Sequence, residues 1–164
     1  MQAHWHIPFR IGALDDKWDD LSLTAGIYII RSDRSIRRIA GIDPIGILYV
    51  GKSGKLGSRL LQFWNGEHPA SGFLYADLKV ASVVLTTPYQ DEQHVADCLS
   101  KLSVKVATPV SAAELEAAER AVLYAYLYRF GEPPPLNCNL PQRWGTAPNA
   151  EELRWAAGGL AYSG

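Results

Sequence analysis

The sequence predicts an α/β (α+β) fold, a small three-stranded mixed or antiparallel central sheet flanked by helices. Three observations carry this reading. Ala25 to Arg31 and Ile45 to Val50 are β-branched and aromatic runs with little polar alternation, the pattern of strands covered on both faces. The glycine-punctuated turn Gly51 to Gly57 leads into an apolar stripe at helical spacing, Leu56, Leu60 and Phe63 or Trp64. Ser111-Ala112-Ala113-Glu114 has the spacing of a capping box and opens a helix to Phe130, with Gly131 at C′ and Pro133-Pro134-Pro135 barring its continuation.

Taken in order, residues 1–24 mix Trp5, Pro8 and Trp18 with an acidic knot (Asp15, Asp16, Asp19, Asp20) and read as an extension capping the core. Residues 25–140 form the main domain. Its first two strands are joined by Ser32 to Pro44, whose Asp33-Arg34-Ser35 and Gly41-Ile42-Asp43-Pro44 are turn signals, so the pair reads as an extended antiparallel hairpin. Asn65-Gly66 closes the first helix. Leu78 to Thr87 reads as the third strand, stopped by Pro88, and Asp91 to Leu102 as a second helix ahead of the one ending at Phe130. Residues 141–164, with Trp144 and Trp155, read as a weakly packed tail.

A chain of 164 residues, 48% hydrophobic and 20% charged, is the size and composition of one globular domain. No apolar run approaches the ~20 residues needed to span a bilayer. The first ten residues lack the basic start and apolar stretch of a secretory signal. Cys98 and Cys138 fall in no CxxC pattern and read as reduced thiols, so a cytoplasmic location is expected. The net charge of −1 conceals an uneven distribution. Residues 31–59 carry seven basic side chains (Arg31, Arg34, Arg37, Arg38, Lys52, Lys55, Arg59) against two acidic ones (Asp33, Asp43). Phosphate binding responds to local cation density rather than to the sum over the chain.

Hydrolysis of a phosphodiester needs an attacking water, a base for its proton, neutralisation of charge at phosphorus and help for the departing oxygen. Tyr28 and Tyr49 lie on the two paired strands and bring two phenols toward one spot. A phenol is a poor base at a pKa near 10, and a nearby metal, arginine and lysine favour its anion. Arg59, in the first turns of the following helix, offers forked donors to phosphate oxygens. Lys52 follows Gly51, whose bare backbone admits close approach. Glu119, inside the long helix near Val122, Leu123 and Tyr126, supplies the oxygen ligand that a hard divalent cation selects, with Glu116 one turn earlier as its rival.

In that order, Gly26-Ile27-Tyr28, then Tyr49-Val50-Gly51-Lys52-Ser53, Arg59, Glu119 with Val122-Leu123, and Pro134-Pro135-Leu136-Asn137, the chain resembles the GIY-YIG endonuclease family over residues 25 to 137. The resemblance implies a GIY-YIG-like fold and metal-dependent hydrolysis of DNA, double-stranded and without a membrane or organic cofactor. It implies Tyr49 as general base, Tyr28 as support for water or phosphate, Lys52 as the family's lysine after the YIG glycine, and Arg59 as transition-state stabiliser. It further implies Glu119 as the ligand of one Mg2+ or Mn2+, which also assists the leaving 3′ oxygen, and Asn137 as a buttress. His68 falls where some members carry a site histidine. Twenty residues separate the two tyrosines, more than in compact members, and the arginines of that stretch (Arg31, Arg34, Arg37, Arg38), with Lys55 and His68, are the candidate DNA grip. Glu119 and Asn137 are eighteen positions apart, also more than in compact members. The competing expectation is a catalytically inactive GIY-YIG-like module that binds DNA or protein.

Overall fold

In the computed structural model the described residues are 2–65, 101–137 and 145–161. The expected strand Leu78 to Thr87, His68, both cysteines and all but the end of the expected helix Asp91 to Leu102 lie outside them.

The described elements run β1 (His4–Trp5), β2 (Phe9–Arg10), two short 3-10 turns (Ile11–Ala13 and Asp15–Lys17), α1 (Trp18–Leu21), β3 (Gly26–Arg31), β4 (Ile36–Arg38), β5 (Gly41–Asp43), β6 (Ile47–Ser53), α2 (Leu56–Trp64), β7 (Ser103–Thr108), α3 (Leu115–Phe130) and α4 (Ala150–Gly159). The fold is mixed α+β. β3 runs antiparallel to β6 on one side and to β7 on the other, and β1 and β2 both add antiparallel to the outer edge of β7. Among the described residues the sheet has five strands rather than the expected three, with β4–β5 a separate two-stranded hairpin. Among the described residues no helix is long and apolar enough to cross a membrane.

The sheet separates two cores. Tyr28 and Ile30 of β3, with Val104 and Val106 of β7, meet Leu56, Leu60 and Phe63 of α2. Ile27, Ile29, Ile47 and Val50 on the other face meet Ala118, Ala121, Val122 and Tyr126 of α3. This explains the weak polar alternation of the strands, since both faces are covered. Phe63, not Trp64, completes the inward stripe of α2; Trp64 stays 36% exposed. Pairing of β3 with β6 slips once: Ile30 faces Tyr49 but Arg31 faces Ile47, leaving Leu48 as an extra residue in a β-bulge.

One strand falls where nothing is predicted, and two expectations need correction. β7 was not anticipated, because Lys105 sits at an inward position where an apolar residue is expected; its ammonium is accommodated by donating to the carbonyl of Gly158 at 2.8 Å. α3 begins at Leu115 rather than beside Ser111, since Ser111 is in a preceding turn and its hydroxyl donates to Glu114 at 2.6 Å instead of accepting from a helical amide. The tail is not loosely packed. Asn149 and Glu152 form a reciprocal capping box for α4. The indoles of Trp5 and Trp155 stack with centroids 5.1 Å apart, and each donates to a backbone carbonyl of the other terminus.

The β4–β5 hairpin is anchored to the far end of α3. Asp43, fully buried, accepts from the amides of Ile45, Gly46 and Ile47 and from the Tyr126 hydroxyl. Arg38 pairs with Glu132 at 3.2 Å, and the Ala40 amide donates to the carbonyl of Phe130 at 3.1 Å.

Candidate active site

β3 and β6 carry the two phenols on one face. In register, Tyr28 opposes Gly51 and Ile30 opposes Tyr49, so the tyrosines are diagonal neighbours with ring centroids 5.9 Å apart. Gly51 is required here. A Cβ at that position would lie 2.5 Å from the Tyr28 hydroxyl and 2.7 Å from the Tyr49 ring, so the Tyr28 ring crosses the strand where only glycine leaves room. Gly26 is constrained in the same way, since its Cβ would lie 2.3 Å from the carbonyl oxygen of Ala107.

The phenols are hydrogen-bonded and not equivalent. Tyr28 is 1% exposed. Burial pushes its pKa far up, the Tyr49 charge and hydrogen bond add to this, and Arg59 pulls against it. Tyr28 therefore keeps its proton the longer, and donates to Tyr49 once Tyr49 is ionised. Tyr49, only partly buried, is also raised, first by burial and then by Glu119, while the Tyr28 hydrogen bond, Arg59 and Lys52 pull it down. The expected cationic help is present, and burial outweighs it.

Glu119 stands across the sheet from the phenols, and its charge acts on both of them. α3 packs on the face opposite the phenols, and Lys52 of β6, next to Gly51 and opposite Ile27, meets it there. The Lys52 ammonium lies 2.5 Å from Glu119 Oε2 and 2.9 Å from Glu116 Oε1. Sequence reasoning set the two glutamates as rivals; both hold the same lysine. Burial raises the Glu119 pKa, Lys52 lowers it, and Glu116 adds to the rise. Burial also works against the Lys52 ammonium, but Glu119 and Glu116 outweigh it and its pKa is raised.

Arg59 stands on α2, which packs on the phenol side, and its charge acts on both tyrosines. Asn137 is brought in differently: its side chain accepts from the Val50 amide at 2.9 Å and donates to the Val50 carbonyl at 2.8 Å. It positions the strand between Tyr49 and Gly51. Of the expected DNA grip, Arg31 is 8% exposed and Arg38 is held by Glu132, by the Pro133 carbonyl and over the Tyr126 ring. Both are built into the fold. Arg34, Arg37 and Lys55 remain exposed.

Among the described residues no three His, Cys, Asp or Glu side chains form a ready metal cage. A magnesium-type ion needs less, because it takes one or two carboxylates and fills its shell with water and substrate oxygens. Glu119 fits that demand. Its side chain is 20% exposed, and burial penalises its anion more than Lys52 offsets. No protein-family model, no curated protein and no solved structure matches the chain.

Proposed function

We propose that this chain is a metal-dependent endonuclease of GIY-YIG type that hydrolyses phosphodiester bonds of double-stranded DNA. The observation that carries the reading is the hydrogen-bonded Tyr28–Tyr49 pair wedged against Gly51, with Lys52 linking that strand to Glu119. The two phenols pack against the apolar core beneath α2, and the charges of Arg59, Lys52 and Glu119 act on Tyr49.

Tyr49, as phenolate, takes the proton of a water that attacks phosphorus; the bond to the 3′ oxygen breaks, and that oxygen leaves to be protonated by solvent. Tyr28 donates to Tyr49 and favours its anion. Arg59 faces the charge that accumulates on the phosphate oxygens. Glu119 would hold one Mg2+ or Mn2+, which supplies positive charge for the phenolate and the departing oxygen. Asn137 keeps the Tyr49–Gly51 strand in place.

The test is nicking of supercoiled plasmid with Mg2+ or Mn2+, comparing wild type with Glu119→Ala. Metal-dependent nicking lost in the variant supports the reading. Activity without metal, or undiminished in Glu119→Ala, overturns the assigned site. DNA binding without any nicking would assign the inactive module.

A further inference from the structure

We infer that Lys52 is a displaceable occupant of the cation position at Glu119, and that loading a divalent ion there releases its ammonium, anchored by Glu116, to a substrate phosphate. This rests on the proposed metal-dependent reading.

Glu116 and Glu119 are three residues apart, hence on one face of α3, where like charges repel. A single ammonium lies between them, at 2.9 and 2.5 Å, and leaves the cluster one positive charge short of balance. The cluster is graded toward solvent: side-chain exposure is 20% at Glu119, 28% at Lys52 and 78% at Glu116. An ammonium dislodged from the buried carboxylate therefore has an outer partner on the same helix face. The Lys52 backbone is fixed, pairing with Ile27 and following the wedged Gly51, while its four-carbon stem is flexible. Two cations at one carboxylate oxygen repel strongly at contact distance, so ion and lysine compete for Oε2.

The experiment is a Mn2+ titration without DNA, reading unbound Mn2+ by electron paramagnetic resonance, on wild type, Lys52→Met, Lys52→Gln, Lys52→Arg and Glu119→Gln, each checked for folding by thermal melting. Removing the competing charge in Lys52→Met or Lys52→Gln is expected to tighten Mn2+ binding about tenfold. Lys52→Arg should stay near wild type, and Glu119→Gln should lose binding. Duplex affinity, measured in a Tyr49→Phe background, should rise on adding Mn2+ by less when Lys52 is Met. Mn2+ affinity unchanged or weaker in both neutral variants, with Glu119→Gln still losing binding, overturns the competition while leaving the metal site intact. Wild-type binding in Glu119→Gln removes the metal reading itself.

Discussion

The carboxamide of Asn137 pairs with the backbone of Val50 as a neighbouring strand would, accepting from its amide and donating to its carbonyl. With the Leu136 amide donating to the Leu48 carbonyl at 2.9 Å, the segment after the prolines seals the edge of β6. Asn137→Ala leaves both Val50 groups unsatisfied. The expected loss is about 2 kcal/mol, seen as a lower urea midpoint, with weaker nicking as a consequence. An unchanged midpoint would contradict this role.

Gly51→Ala places a methyl group where the Tyr28 hydroxyl and the Tyr49 ring lie. Overpacking of this kind costs about 1–3 kcal/mol, and here it must move a phenol. Nicking should fall at least as far as in Tyr28→Phe, with altered near-ultraviolet circular dichroism. Wild-type activity in a folded Gly51→Ala protein would show that the phenol pair is dispensable.

Removing the two hydroxyls separately distinguishes their roles. Tyr49→Phe removes the proposed base and should lower the cleavage rate by about 10²–10⁴. Tyr28→Phe removes a donor to that base and should cost less. Because cleavage needs the Tyr49 phenolate, wild-type cleavage should climb with pH until that phenol is ionised, and that climb should vanish in Tyr49→Phe. An alkaline limb that persists in Tyr49→Phe would assign the base elsewhere.

Tyr28 and Tyr126 are both buried and both pushed above the ordinary value, chiefly by burial. Each binds its proton more tightly in the folded chain than in the unfolded one. Their contribution to stability is thus complete below the unfolded pKa near 10 and is lost as pH rises beyond it, at about 1.4 kcal/mol per pH unit for each group. Urea midpoints from pH 8 to 11 should fall only above about pH 10. Tyr126→Phe should flatten the fall, and an equal slope in that variant would reject the assignment.

What was legible in the sequence is what is local. The stripe of α2 and the glycine and prolines that end α3 act within a few residues, and the structure has them as expected. The tyrosines, Arg59, Lys52 and Glu119 were legible as a set through their resemblance to a nuclease motif; in the fold the two phenols pair on one face of the sheet and Lys52 pairs with Glu119 of the helix on the other. Long-range pairings were not legible. Lys105 disguised β7 because its ammonium is matched by the carbonyl of Gly158, 53 residues later. Arg31 and Arg38 looked like surface cations because nothing nearby in sequence announces their burial; the partner of Arg38, Glu132, is contributed by the far end of α3. Glu116 and Glu119 looked like competitors because the lysine that binds both is on a strand.

The supernumerary Leu48 has a bearing on how this strand tolerates changes in length. Ile47 and Tyr49, two positions apart, would share a side in a regular strand, but the irregularity sends Ile47 to the α3 core and Tyr49 to the other. Excising Leu48 would leave each of them pointing where it does now, merely emptying one apolar slot. Excising Val50 would instead carry Gly51 out from under the Tyr28 ring and invert everything downstream. Indels should therefore be survivable on one side of Tyr49 and ruinous on the other.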